Sequence, residues 1–338
     1  MTIDAHAHGL PAALVETLRR DAGRCGIEIA ERDGRQFLRV AGGGGGPLRP
    51  DFLDIDARLA AMDAAGIDLQ LLSPWIGVTG YTLPTEQGVR WARMFNEALA
   101  ELVAEHPGRL LGLGHVPLQS PAAAADELRR AVGVLGLVGV EIATTVAGRE
   151  LDDPDLEPFW AAAEELRCLV LLHPDQTLPG RAEPRYFLNN LVGNAAETTI
   201  AVSHLLFGGV LERHPDLRLI LVHGGGYLPW QAGRLDHGHA AAPSRGAPAL
   251  QRAPSEQLRT LYYDTVTHSA EALQLLISFA GADHVVLGTD YPFEMGDRDP
   301  IGLVDSIPGL SPDARHRILE GTLGRLLSDV KRTGEHRG

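Results

Sequence analysis

The sequence predicts an α/β chain folded as a (β/α)8 barrel of the TIM type, with a small insertion after the first strand. Three observations predict it. Eight short apolar runs alternate with stretches of helical spacing from one end of the chain to the other. The runs are continuous rather than alternating apolar and polar, which reads as strands buried on both faces of a parallel sheet. The length, 338 residues, exceeds the roughly 250 of a bare barrel by what a few added loops absorb. A doubly wound open sheet is the alternative, because a strand count does not establish closure. With 44% hydrophobic residues the chain has enough apolar material for one large core.

The expected strands are, in order, residues 2–5, 68–72 (DLQLL), 110–116 (LLGLGHV), 137–142 (LVGVEI), 168–172 (CLVLL), 217–222 (LRLILV), 260–263 (TLYY) and 284–287 (HVVL). Apolar residues recur at helical intervals over 55–65, 86–105, 122–135, 156–166, 195–212, 270–279 and 312–327. Ser120-Pro121 and Ser311-Pro312 read as helix starts, and Gly66 as a helix end. Residues 9–54 break the alternation. They hold a hairpin pattern, 27–31 and 36–40 about a tight turn at Asp33-Gly34, then a glycine stretch, 42–46, expected to be flexible. This segment is expected as an insertion over the barrel mouth within a single domain, 1–338. Two more loops are expected, at 179–194 and 237–254, the second of them mobile.

The charge balance restricts partners. Thirty Lys and Arg against 44 Asp and Glu give a net charge of −14, which disfavours nucleic acid phosphates and anionic lipid. No apolar run approaches the roughly 20 residues of a membrane span. The two cysteines suggest no disulfide framework, and the start of the chain lacks a signal-peptide pattern, so a cytoplasmic setting is expected.

Fourteen histidines are present, and position separates them. His106, His214, His316 and His336 sit among charged neighbours or at the chain end, and surface positions without a role are expected. His6 and His8 are two apart at the end of the first strand, so both rings face one side. His173 ends the fifth run, His223 the sixth, and Asp290 follows the eighth. A single strand-end histidine is more often structural. Five such residues at the C-terminal ends of strands, where barrel enzymes keep their active sites, point to a metal-assisted reaction. Three histidines and a carboxylate would hold one divalent ion and leave a position open for water.

These motifs, His6-x-His8, His173-Pro174, His223-Gly224-Gly225-Gly226 and Gly288-Thr289-Asp290-Tyr291-Pro292, resemble those of the amidohydrolase superfamily. Within it, the pattern is similar to the aminocarboxymuconate semialdehyde decarboxylase group, along nearly the whole chain. Met62-Asp63-Ala64-Ala65-Gly66-Ile67-Asp68, Gly80-Tyr81-Thr82, Val116-Pro117-Leu118-Gln119 and Gly233-Arg234-Leu235-Asp236 share in it. The resemblance implies that His6, His8, His173 and Asp290 ligate one divalent metal, zinc first and manganese as the alternative. It implies an acid/base role for His223, shared with Asp290. It also implies that Arg49 and Arg234 hold substrate carboxylates, Arg234 reaching across a homodimer interface. Trp75 and His268 are further candidates for substrate contact, and Tyr81, Tyr291 and Phe293 for the pocket wall.

Related resorcylate-type decarboxylases have Glu at the first ligand position, so His6 favours the aminocarboxymuconate-like branch. Yet Asp175-Gln176-Thr177 lacks the tryptophan of that branch, and His268 stands where an aromatic residue is expected. The expected activity is therefore metal-dependent, non-oxidative decarboxylation of an unsaturated or aromatic small carboxylate. Hydrolysis of a lactone or amide, or hydration of a related acid, is the alternative on the same residues. A non-catalytic binding protein on this scaffold would be expected to have lost a ligand or His223, and none is lost.

Overall fold

The computed structural model describes residues 1–21, 23–175, 184–241 and 250–330. Eight parallel strands run in the order β1 (Ile3–His8), β5 (Leu69–Ser73), β6 (Leu110–Gly114), β7 (Gly139–Ala143), β8 (Leu169–His173), β9 (Arg218–Leu221), β10 (Tyr262–Asp264) and β11 (Val285–Val286). The first and last strands meet. Ala5 N donates to Leu287 O at 2.8 Å, Asp290 N to His6 O at 2.8 Å and His8 N to Tyr291 O at 2.7 Å. The sheet thus curls into the (β/α)8 barrel expected from the sequence, and the open-sheet alternative falls.

Each strand is buried on both faces, which explains why its sequence is a continuous apolar run. Leu71, Leu113, Leu169, Leu171, Ile220 and Val222 pack together in one cluster. Their neighbours Val140, Ile142, Val170, Leu172, Leu219 and Leu221 pack instead with helix residues such as Leu128, Phe159, Trp160 and Leu205. The helices sit close to their expected places: Ile55–Ala64, Thr85–Glu105, Pro121–Gly133, Glu157–Leu166 and Ala270–Ala280. Ser311 caps its helix by accepting from Ala314 N, whereas Ser120 makes no side-chain cap and acts only as the residue before Pro121.

Several expectations are corrected. The single helix expected over 195–212 is two, Ala195–Phe207 and Val210–Arg213, because Gly209 takes a left-handed φ of 76° between them. The one expected over 312–327 is interrupted by a π-helical turn at Arg317–Gly321. The insertion holds a helix the sequence reading did not find, Ala12–Asp21, then β2 (Ile27–Arg32) and β3 (Arg35–Val40) paired as the expected hairpin. The glycine stretch read as flexible instead contributes β4 (Gly45–Pro47), which adds a third antiparallel strand along β3. This small sheet packs on the segment after β5, with Val40 and Leu48 clustered against Val78 and Leu83. A helix, Leu228–Ala241, enters the segment expected to be mobile, and Pro254 starts another short one. Gln176, Thr177, His336 and parts of the two expected loops lie outside the described residues. His214 is not a surface residue: it is 6% exposed, with Nδ1 3.0 Å from Glu164 and Nε2 2.8 Å from Glu157, a hydrogen-bonded fastening between helices.

Candidate metal centre

The strand ends deliver the expected donors to one place. His6 and His8 lie at the end of β1, His173 is the last residue of β8, and Asp290 follows β11. Their ligand atoms lie within 4.8 Å of one another, and all four residues are buried. His6 Nε2 is 3.0 Å from His8 Nε2 and 3.3 Å from Asp290 Oδ1, and His8 Nε2 is 3.2 Å from the same oxygen. Donors about 2.0–2.2 Å from one tetrahedral ion would be separated by roughly 3.3 Å. The spacing of His6, His8 and Asp290 fits a shared cation, with the His173 donor within 4.8 Å of them. So does the chemistry of Asp290, whose buried Oδ1 makes no well-aligned hydrogen bond among the described residues.

The opposite nitrogens fix which atom faces the centre. His6 Nδ1 is 2.7 Å from Asp264 Oδ2, His8 Nδ1 2.9 Å from Pro74 O and His173 Nδ1 2.8 Å from Pro174 O. Each acceptor takes an Nδ1 proton and leaves an Nε2 lone pair pointing inward. A network beneath holds β1 in register. Asp4 accepts from Gln70 Nε2 and Thr289 Oγ1, while Arg58, itself buried, donates to Gln70 Oε1 and His8 O and lies over the Tyr291 ring.

The electrostatics of the cluster favour positive charge where its donors meet. Burial opposes charge on His6, yet Asp290 and Asp264 outweigh it and hold this imidazole well above its ordinary pKa. His8 is likewise opposed by burial and raised to about 9 by Glu141 and Asp290. Burial and the neighbouring His8, His223 and His6 push His173 well below the usual range. Asp290, despite burial, is held well below the carboxylate range by His6, His223 and His8. The carboxylates therefore draw protons onto some imidazoles while others are denied them. A divalent ion supplies the same positive charge at the point where the donors converge.

His223 stands beside this set. Its Nε2 is 3.6 Å from Asp290 Oδ2, its Nδ1 is without a partner among the described residues, and its side chain is 20% exposed against 0–6% for His6, His8 and Asp290. It opens a turn in which His223, Gly224, Gly225 and Gly226 all have positive φ. The glycines are required there by contact as well as by conformation. A Cβ on Gly225 would lie 2.6 Å from the Tyr263 ring, and one on Gly226 would lie 2.3 Å from Ala195 O.

The expected substrate residues are less concentrated. Trp75 stacks on Phe52 at 5.7 Å, Phe52 meets Phe293, and Phe293 meets the His8 ring at 5.2 Å, an aromatic wall leading to the centre. Arg49 lies over Phe52 and Phe293 and is paired with Asp51 and Glu294. Arg234 is exposed on the helix Leu228–Ala241, without an ion-pair partner among the described residues; Asp236 instead accepts from Ser255 N. His268 is exposed, with φ 55°.

Four buried polar residues near the centre were not singled out by the sequence reading or, for Tyr81, were singled out only as pocket wall. Asp264 ends β10. Glu141 lies within β7, with neither carboxylate oxygen in a short hydrogen bond among the described residues and one of them 3.5 Å from His8 Nδ1. His115 follows β6 and stacks on Tyr81 at 5.8 Å, and neither its ring nitrogens nor the Tyr81 hydroxyl makes a short, well-aligned hydrogen bond among the described residues. The signal was present in the sequence: a charged or imidazole residue inside or just after an apolar strand run.

A closed parallel barrel with three imidazoles and a carboxylate converging at its C-terminal rim defines a metal-dependent enzyme of the barrel class. The family model described as amidohydrolase matches residues 3–327. The chain belongs to the amidohydrolase family, in its aminocarboxymuconate semialdehyde decarboxylase-like group. It is 36% identical over 268 residues to the 2-amino-3-carboxymuconate-6-semialdehyde decarboxylase of Dictyostelium discoideum, covering 79% of this chain and 75% of that protein. Among solved structures, 5-carboxyvanillate decarboxylase from Sphingomonas paucimobilis superposes with a TM-score of 0.82 at 27% identity, covering 97% of this chain and 98% of that one. Dihydroxybenzoic acid decarboxylase from Polaromonas sp. JS666, solved with bound manganese and 2-nitroresorcinol, gives 0.77 at 26% identity, covering 97% and 96%.

Proposed function

We propose that this protein is a metal-dependent, non-oxidative decarboxylase of a small unsaturated or aromatic carboxylic acid. The observation that carries the proposal is the juxtaposition of a closed four-donor cluster with one partly open histidine, His223, against the ligand carboxylate. The three relatives above, each a decarboxylase of such an acid by its own description, support the same reaction type.

His6, His8, His173 and Asp290 would hold one divalent ion, zinc by the donor set, with manganese the alternative that the Polaromonas relative supports. Bound there, the ion supplies a Lewis acid that orients the substrate's oxygens and stabilises negative charge. The protein's own groups do the rest. The aromatic wall of Trp75, Phe52 and Phe293 packs the flat face of the substrate and excludes water. Arg49 takes a substrate carboxylate by giving up Glu294, whose side chain is 76% exposed and easily rehydrated. His268 contacts substrate from the opposite rim.

His223 delivers a proton to the carbon that bears the carboxylate, with the Asp290 carboxylate, 3.6 Å from its Nε2, as the neighbouring group that shares the acid/base role. The C–C bond then breaks, its electron pair restores the conjugated system, and CO2 leaves. The net exchange is a proton for CO2, with no redox partner.

Arg234 completes the site of a second copy in a homodimer. An apolar surface supports this assembly: Trp230 is 74% exposed one turn before Arg234, and the exposed Tyr227, Leu191 and Val192 lie alongside, the Tyr227 hydroxyl touching Val192 O. The cytoplasm fits the two free, buried cysteines; no helix of the described residues is long and apolar enough to cross a membrane.

The test is a screen of aromatic and unsaturated carboxylic acids with the metal-loaded enzyme, following CO2 release and product mass together. A product lighter by CO2 is expected. A product heavier by water, with no CO2, would assign the protein to the hydrolases or hydratases instead.

A further inference from the structure

Asp264 makes contacts that reach two different parts of the centre. Its carboxylate is fully buried at the end of β10. Oδ2 meets His6 Nδ1 at 2.7 Å, while Oδ1 accepts from Gly224 N at 2.8 Å and Val266 N at 3.1 Å. The Val266 bond is a local turn. The other two leave the strand on separate oxygens, one to a metal donor and one to the residue that follows His223.

We propose that Asp264 is a positioning residue that locks the metal donor His6 and the turn carrying His223 into one register, so that ion and acid/base cannot shift independently. This assignment rests on the four-donor reading of the site but not on which acid is decarboxylated. On the first arm, a carboxylate acceptor keeps the proton on Nδ1 and the lone pair on Nε2, where His8 Nε2 and Asp290 Oδ1 converge. On the second arm, the turn from His223 to Gly226 has φ values of 54°, 61°, 75° and 64°. Such a left-handed run, opened by a non-glycine residue, persists only where its surroundings over-determine it. A buried bond from Gly224 N–H to a charged oxygen does this, being stronger than a bond to a neutral acceptor. The turn is also pressed against the segment after Asp264, since a Cβ on Gly224 would lie 2.8 Å from Thr267 Cγ2. One carboxylate, using both oxygens, therefore sets the distance between the cation and the proton donor.

Two variants test this. Asp264→Ala removes both arms. Asp264→Asn keeps the shape but has one acceptor oxygen, so it retains one arm at most, and it serves if the alanine variant fails to fold by circular dichroism. Zn2+ and Mn2+ affinity by chelator competition should weaken by about 10–100-fold in Asp264→Ala. Hydrogen exchange at the Gly224 amide should quicken at least about tenfold, as expected when a buried N–H loses its acceptor. Turnover at saturating metal should stay depressed, because refilling the site does not restore the turn. Asp264→Asn should be impaired in at least one of the two substrate-free measurements. Native values for both in a folded variant overturn the proposal. So does an alanine variant whose metal affinity falls while Gly224 exchange and saturated turnover stay native, since the two arms would then be unlinked. Affinity and exchange need no substrate, so a screen that finds no decarboxylated acid would sink the functional reading and leave this test standing.

Discussion

Two sets of buried polar residues at the barrel mouth are built on opposite principles. In the first, His6, His8, His173 and Asp264 are tied by short bonds, and the inward atoms converge on one point. In the second, carried by the ends of β6 and β7 and the segment after β5, the side chains of His115, Glu141, Tyr81 and Thr144 are equally buried but make no short, well-aligned hydrogen bond among the described residues. Burying polar groups unpaired is costly, so a fold keeps them where something else completes them. The first set is held in place by the protein's own bonds. The second is a polar wall that a substrate or ordered water would complete. The lesson is that burial alone does not mark a ligand set; convergence does.

The comparison is broken most severely by removing a converging donor. His173→Ala should lose both the bound ion and turnover, measured by elemental analysis and by CO2 release on the same sample. Metal bound at native stoichiometry in an active His173→Ala enzyme would mean that convergence was the wrong criterion.

His223 tests the boundary between holding an ion and moving a proton. His223→Ala should keep its metal and lose about 10²–10⁴-fold in kcat, the usual contribution of a general acid/base. His223→Asn should behave alike, since an amide can hydrogen-bond but cannot carry the proton. Restoration of turnover by excess metal would make His223 a ligand and move it to the converging side.

His115 probes the unpartnered wall through pH. Burial lowers its pKa to about 4, against 6.5 for the free side chain. Between pH 6.5 and 4 the unfolded chain binds a proton that the native ring refuses, so stability falls as pH falls through that window and is unaffected above it. The loss runs at about 1.4 kcal/mol per pH unit, or about 3 kcal/mol across the window. Urea unfolding of the metal-free protein and of His115→Gln, from pH 7 to 4, should show the variant's curve flatter by that amount. Parallel curves would place a partner on the His115 ring.

Glu141 sharpens the comparison by the smallest effect. Its oxygen is 3.5 Å from His8 Nδ1, whose proton already goes to Pro74 O at 2.9 Å. A contact that long is a poor hydrogen bond, so Glu141 acts on His8 mainly through charge, and Glu141→Gln should weaken metal affinity by less than about tenfold. A tenfold loss in chelator competition would put Glu141 with Asp264 among the residues that organise the ion.

The sequence by itself determined the barrel and which donor residues cluster at its rim. Strands buried on both faces must be apolar throughout, so each announced itself, and the residues ending them fell at the rim where parallel barrels do their chemistry. His6, His8, His173, His223 and Asp290 were legible for that reason. Local signals also sufficed for the Asp33-Gly34 hairpin, whose turn residues take φ of 52° and 70°. The third strand at Gly45–Pro47 was not legible, because a glycine stretch carries no pattern and becomes a strand only when β3 offers it a ladder. His214 looked like a surface residue among charges, and only packing of two helices buried it against two glutamates. Asp264, Glu141 and His115 look alike in sequence, each a polar residue inside or just after an apolar strand run. Tertiary structure alone gave Asp264 two distant partners at short range and left the other two side chains without a short hydrogen bond among the described residues, since pairing depends on where distant segments bring their donors, and no local pattern encodes that.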